Sequence, residues 1–468
     1  MKLRSIFTNS FGILFSRITG LGRDVLMASA LGASIWSDMF FIAFKLPNFF
    51  RRIFAEGAFT QAFMPSFVAS KNKGVFATTI FLRFLLFLVA FSMIITLFPE
   101  PITKLLAWGW EDERIAKTAI LTAINFWYLD LIFIVTFLAT LLQYKEHFAT
   151  TAMATALLNI SMITALWIYI KEDPETVAYA LSFAVLIGGT LQVLVHLIAI
   201  KKFNLHKLLL GGWKYKDKKN VKDEETAFKT LFIPSIIGNS TAQISAFLDT
   251  FLATFLMTGS VSFLFYANRI FQLPLALIAI ATAAVLFPSV SKALQNNQED
   301  KAYANLNTAF WLLSFLLGGA MVGGIFLAEP IIWLLFEHNN FTQENTLETA
   351  HVLQMYMVGL LPFGLAKLLS MFLYASHRHL KAAKIAINSL ITTVFFSFIL
   401  MQSMGAAGLA LAGSIGGWVL FILTIKEVGF DKFIKIVNSK YSIYFLLSLF
   451  TFSILIYFIN IWLITFIR

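Results

Sequence analysis

The sequence contains no cysteine, which excludes disulfides, thiolate nucleophiles and cysteine-ligated zinc or iron–sulfur centres. It is short of charge as well: 13% of its residues are Asp, Glu, Lys or Arg, where soluble domains carry roughly a quarter. Its 7 histidines are scattered, and the SHRH run at 376–379 reads as a solvated connection. There is no GxxxxGKS/T phosphate loop, no HExxH and no Ser/His/Asp constellation, which argues against ATP hydrolysis and hydrolytic chemistry within the chain. What is abundant is apolar. Such residues make up 59% of the 468 and mean hydropathy is +0.78, the composition of an all-α polytopic membrane protein.

Apolar segments long enough to span a bilayer, about 20 residues each, fall near 5–31, 34–68, 75–98, 115–142, 148–170, 176–200, 229–257, 261–291, 303–328, 346–375, 380–402, 405–426 and 441–466, thirteen in all. The start, MKLRSIFTNSFGILFSRITG, has the basic residues and apolar run of a signal peptide. Arg17 and Arg23 interrupt it before any cleavage site, so it reads as a retained first helix. With the N-terminus inside, the inner connections collect Lys2, Arg4, Lys71, Lys73, Lys145, Lys292, Lys301, Arg378, Lys381 and Lys384, together with the lysines of 201–229 and 426–440. The outer connections hold only Lys104, Arg114, Lys117 and Lys171, with the terminal Arg468. This asymmetry predicts a cytoplasmic N-terminus. The net charge of +11 is then a topology signal, with no call for nucleic acid.

A repeat organises the chain. Gly32 stands fifteen residues before Pro47 in GASIWSDMFFIAFKLP, and Gly259 fifteen before Pro274 in GSVSFLFYANRIFQLP, an offset of 227. Downstream, FMPSF at 63–67 is echoed by LFPSV at 286–290, with a spacing shorter by four residues. An even number of spans separates the copies, so the halves share one orientation. The expected architecture is two pseudo-symmetric six-helix lobes, 1–200 and 229–426, around a central cationic cavity. A cytoplasmic linker occupies 201–228, and 427–468 holds a cytoplasmic connection and one extra C-terminal helix. PEPITKLLAWGW at 99–110 reads as an outer loop or short helix.

Charges inside the spans are the candidate site. On a straight second helix Asp38, Lys45, Arg52 and Glu56 fall within about a 40° arc, with Arg51 off it and Pro47 and Asn48 disturbing the register below. In the first span Arg17 and Asp24 share a face, while Arg23 lies off it beside a TGLG sequence that could loosen the helix. Arg269 and Lys367 add charge in the eighth and tenth spans. A charge facing lipid at the bilayer centre costs roughly 2.5–3.5 kcal/mol, so these side chains face protein or water. Helix-to-helix pairing accounts for some of them. Cations outnumber acids, however, by two in the first two spans. Guanidinium forks suit phosphate or diphosphate, and the apolar surroundings favour a lipid-linked one. A drug antiporter would need an acid-dominated cavity, and an enzyme on polyprenyl phosphates an acid pair or nucleophile; neither is evident.

The runs SRITGLGRD at 16–24 and SDMFFIAFKLPNFFRRIFAEGAFTQAFMP at 37–65, with GSVSFLFYANRIFQLP at 259–274, resemble the MurJ (MviN) family of lipid II flippases, within the multidrug/oligosaccharidyl-lipid/polysaccharide exporter superfamily. The resemblance covers about residues 1 to 430. It implies a flippase, without enzymatic activity, in the bacterial cytoplasmic membrane. By alternating access it would move undecaprenyl-diphosphate-linked peptidoglycan precursor to the outer leaflet, alongside other cell-wall synthesis proteins. It implies that Arg17, Arg23, Arg51 and Arg269 bind the head group, with Asp38 and Glu56 important, and that Asp24, Asn48, Arg52 and Lys367 match the pattern. A flippase for another polyprenyl-linked saccharide is the alternative nearest to it. No cofactor is implied; coupling by membrane potential or by Na⁺ at Asp249, Asn388 and Thr392 are both open, oxygen ligands of that kind suiting a hard cation. The chain departs from the pattern in having one span rather than two after the second lobe, and in carrying Gln272 where many relatives have glutamate.

Overall fold

A computed structural model describes residues 3–52, 57–216, 220–296, 298–376, 378–437 and 441–467, which contain helices and no strand. Contacts divide the chain into two compact units, Met1–Phe251 and Leu252–Arg468.

The N-terminal unit begins with α1 (Leu3–Leu31), α2 (Ile35–Phe50), α3 (Ala58–Ala69) and α4 (Lys73–Leu97). A short helix, α5 (Pro99–Leu106), leads to α6 (Asp112–Phe126) and α7 (Tyr128–Tyr144), two halves of one long span broken at Trp127. Then come α8 (Ala149–Tyr169), α9 (Pro174–Lys202), α10 (Leu205–Tyr215) and α11 (Lys222–Ala253). α1 packs on α8, α8 on α9, α7 on α9 and α2 on α6. The core is aromatic: Phe59, Phe63, Phe67, Phe76, Phe133 and Phe137 are fully buried, with Phe59 and Phe63 stacked at 5.1 Å and Phe59 edge-on to Phe133 at 5.2 Å. Such pairs contribute about 0.5–1.5 kcal/mol beyond area burial.

The expected linker is not a bare loop. α10 lies against α4 because glycines face each other there: a methyl added to Gly74 would sit 2.5 Å from Leu208 O, and one on Gly212 would overlap the Gly74 carbonyl. Thr78 Oγ1 donates to Leu209 O at 3.2 Å across the same contact. Small residues let two backbones approach closely where bulkier ones would hold them apart.

The second unit contains α12 (Ser260–Pro274), a π-helical turn at Leu275–Ile280, α13 (Ala281–Gln295), α14 (Glu299–Phe326), α15 (Ala328–Phe336), α16 (Gln343–Met357), α17 (Leu360–Ala375), α18 (His379–Val428), α19 (Phe430–Val437) and α20 (Tyr441–Ile467). α18 holds both the eleventh and twelfth expected spans, joined through a kink at Gly405, whose φ of 56° and ψ of −132° are non-helical. α20 packs on α14 and α15, and an apolar groove of about 430 Å³ is lined by Phe315, Gly319, Ser448, Leu449, Thr451, Phe452 and Leu455.

Among the described residues nine helices are long and apolar enough to cross a membrane. Those nine leave out the first, second and seventh expected spans, and α18 stands among them once for two passes. The protein is therefore a multi-pass membrane protein. The repeat is structural as well as textual. Gly32 and Gly259 both take positive φ, 61° and 92°, and Pro47 and Pro274 both lie near the end of a helix. π-helical backbone follows each, at Arg51, Arg52 and Gly57 in the first copy and at Leu275–Ile280 in the second. Pro65 and Pro288 then sit inside the helix that comes next.

Candidate functional site

In α1 the SRITGLGRD run forms one continuous helix; the glycines do not loosen it. Gly20 instead gives passage to Asn159 of α8, whose Nδ2 would lie 3.4 Å from an added methyl. Asn159 Nδ2 donates to Ser16 O at 3.0 Å and to Thr19 Oγ1 at 3.2 Å, while its Oδ1 accepts from Arg23 Nη1 at 3.1 Å. Arg23 also donates to Asp24 Oδ1 from Nε at 3.0 Å and Nη2 at 2.6 Å. Arg23 and Asp24 are both buried. Asp24 thus pairs with its neighbour Arg23, because a charge buried at the α1–α8 contact is costly until it is paired. Arg17 stays exposed.

In α2 the stripe expected on a straight helix is shared between different neighbours. Asp38, buried, accepts from Arg114 Nη2 of α6 at 3.0 Å, and the Arg114 guanidinium lies 3.6 Å from the centre of the Trp110 ring. By sequence Arg114 counts among the charges of an outer connection, and the one signal of its role beside Asp38 is the nearby WGW run at 108–110. Lys45 interacts electrostatically with Asp249 of α11 and with Arg52. Asn48 Nδ2 donates to Phe44 O at 2.8 Å, one turn back, where Pro47 has removed a backbone donor. Arg51 is half-buried and Arg52 exposed on the π-helical turn; Glu56 lies outside the described residues. Beside this turn, Leu46, Phe49, Phe50, Phe91, Ile95, Ile102, Leu105, Leu106 and Phe247 line an apolar recess of about 220 Å³.

In the second unit Arg269 is half-buried, 5.7 Å over the Phe265 ring. Gln272 donates to Asn268 Oδ1, a local amide pair within α12. Lys367 is exposed on α17. Asp249 belongs to the first unit, on α11, and Asn388 and Thr392 to the second. Asn388 is exposed, and Thr392 Oγ1 donates to Asn388 O at 2.9 Å.

The pairing pattern changes while the balance holds. Counted with their partners Arg114 and Asp249, one of each sign, the charges of the first two expected spans keep their surplus of two cations. With Arg23 fixed by Asp24, the exposed cations among the described side chains of α1 and the π-helical turn are Arg17 and Arg52.

Residues 27–468 match the family model described as "Lipid II flippase MurJ". A probable lipid II flippase MurJ of Helicobacter pylori (strain ATCC 700392 / 26695) is 47% identical over 425 residues, covering 88% of this chain and 92% of that protein. The probable lipid II flippase MurJ of Vibrio cholerae is 31% identical over 439 residues, 88% of this chain and 80% of the relative. A solved structure of lipid II flippase MurJ in an inward closed conformation superposes with a TM-score of 0.79 at 27% identity, covering 98% of this chain and 99% of the other. An inward-facing MATE transporter of the MOP superfamily, 15% identical with a TM-score of 0.70, covers 92% of this chain and 98% of that one, and shares the fold. By its sequence, from α1 to α20, the chain belongs to the lipid II flippase MurJ family.

Proposed function

We propose that the protein carries lipid II, an undecaprenyl-diphosphate-linked peptidoglycan precursor, from the inner to the outer leaflet of the cytoplasmic membrane by alternating access of its two halves, with its N-terminus in the cytoplasm. The observation that carries this is the cationic surplus that persists after the buried pairs are counted, with Arg17 and Arg52 exposed. Arg17, Arg51, Arg52 and Arg269 take the diphosphate, Lys367 adds charge in the second unit, and Arg23, Asp24, Asp38, Asn48 and Glu56 position the helices that carry them. Guanidinium forks bind diphosphate oxygens in pairs, and no bond in the substrate is made or broken. The groove on α14 and α20 receives the isoprenoid tail.

Coupling follows the membrane potential. Outward movement of a diphosphate from a negative interior is favoured by about 2.3 kcal/mol per charge per 100 mV, and the same field favours inward reset of the empty cationic site. No step is routed through Na⁺ at Asp249, where Lys45 competes for the carboxylate. Depletion in the native host tests the reading: lipid II builds up on the inner leaflet, and loss of shape and lysis follow. An intact cell wall after complete loss, in a host lacking a second flippase, overturns it. Arg17→Ala, Arg51→Ala and Arg269→Ala abolish complementation at normal expression; full growth from all three returns these positions to a structural role.

A further inference from the structure

Four acidic side chains are buried among the described residues: Asp24, Asp38, Asp130 and Glu225. Three have a cation: Arg23 holds Asp24, Arg114 holds Asp38 and Arg83 holds Glu225. Asp130, on α7 just past the break at Trp127, has no ion pair among the described residues. Its Oδ2 lies 2.5 Å from the Oγ of Ser92, a fully buried residue of α4, and its Oδ1 is buried with no hydrogen-bond partner among the described residues. Asn125 Oδ1, on the other side of the break, is likewise buried and unpartnered. Within a membrane span an ionised carboxylate buried there has the Ser92 hydroxyl as its one side-chain donor and no ion-pair partner among the described residues. A proton on one oxygen removes the buried charge while the carboxyl stays hydrogen-bonded to Ser92, whose hydroxyl can donate or accept.

The neighbouring elements supply no substitute. On α2, α4 and α6 the cations Lys45, Arg83 and Arg114 are engaged with Asp249, Glu225 and Asp38. Lys73 is bound to Ser70 O, and Lys117 to Glu113. α3 carries no charged residue. α9 keeps Glu175, Lys201 and Lys202 at its ends, and its His196 donates from Nδ1 to Gln192 O and pairs through Nε2 with Thr151 Oγ1. None of these groups forms a hydrogen bond or ion pair with Asp130. Thr96, exposed one turn above Ser92 on α4, donates to Ser92 O at 2.8 Å and accepts from Trp127 Nε1 at 3.1 Å. The break itself is loose there, Leu131 N reaching Trp127 O at 3.4 Å.

We propose that Asp130 is a proton-binding site inside the N-terminal unit, separate from the arginines that face the substrate: its carboxyl holds an exchangeable proton, hydrogen-bonded to Ser92 at the broken α6–α7 span. Its ligand is a proton and not a metal ion, since one carboxylate oxygen and one hydroxyl make too few ligands for a cation.

Infrared spectroscopy of the purified full chain in lipid at neutral pH tests it. The expected result is a protonated-carboxyl C=O band that moves on deuteration and is absent in Asp130→Asn, a near-isosteric change that keeps the Ser92 contact. Ser92→Ala moves the same band upward, as loss of its hydrogen bond requires. A spectrum without that band, or a band that survives Asp130→Asn unchanged or ignores Ser92→Ala, overturns the site. A second arm rests on the flippase reading: in proteoliposomes the wild-type flipping rate varies with pH, by at most about tenfold per unit for one proton, and Asp130→Asn flattens the profile. Equal profiles refute a role for the proton in transport. Absence of wild-type flipping counts against the flippase reading, and the infrared band still decides the proton site.

Discussion

Replacing Arg23 and replacing Arg17 should do different damage although both are arginines of one helical motif. Arg23 and Asp24 side chains are 8% and 0% exposed, with a 2.6 Å contact, and Asn159 ties the pair to α8. Removing one member of a buried pair leaves the other uncompensated and costs about 3–5 kcal/mol. For a unit of this size, roughly 2–4 °C per kcal/mol, Arg23→Ala lowers Tm by on the order of 10 °C, and Asp24→Ala does the same. Arg23→Met with Asp24→Leu recovers most of that loss, because an apolar pair of similar volume carries no desolvation penalty. Arg17→Ala, at an exposed position, leaves Tm within about 1 °C and abolishes complementation. The assay is thermal unfolding in a fixed detergent, followed by complementation of a depletion strain. An unchanged Tm for Arg23→Ala, or a double variant no better than either single one, refutes the assignment of Arg23 to positioning.

The Asp38–Arg114 pair, 2% and 12% exposed, behaves alike: Asp38→Ala or Arg114→Ala costs about 3–5 kcal/mol, and the exchanged pair Asp38→Arg with Arg114→Asp regains part of the Tm lost by either single exchange. Gly74→Val forces a side chain into Leu208 O at the α4–α10 contact, so Tm falls by an amount corresponding to about 1–3 kcal/mol and limited proteolysis opens the 205–215 segment first. Burial, and then the nearby Lys202, hold the His147 imidazole below its usual range. The unfolded chain therefore gains the proton first: stability present above pH 6.5 declines as pH falls below it, and His147→Gln removes that part of the acid sensitivity of Tm.

Helices and the repeat were legible in the sequence because a bilayer imposes long apolar runs that a reader can see without coordinates. Gly32 and Gly259 were legible too, at equal distances from their prolines, and both take the positive φ that a residue without a Cβ tolerates. Partner choice was not. Asp130 gives no signal in a sequence, being one acid in an otherwise apolar run; only the lack of a cation around it in space sets it apart. Asn159 reads as an ordinary packing amide until α8 is laid on α1, where it clasps three residues of the SRITGLGRD run at once.

The second span shows why counting degrees on a helical wheel could not finish the task. Asp38 and Lys45, seven residues apart, lie on one face of α2 by spacing, yet the first meets Arg114 of α6 and the second Asp249 of α11, since neighbouring helices change along a face about 10 Å long. Below Pro47 the π-helical turn inserts extra backbone into the helix, and each inserted residue turns everything after it by about 100°. Arg51 and Arg52 are therefore aimed by the turn and not by the stripe. The second copy repeats the device after Pro274 with no charge in the turn, so its purpose is steric: it redirects a helix. The arginines of the first copy exploit a bend that the fold needs in both halves.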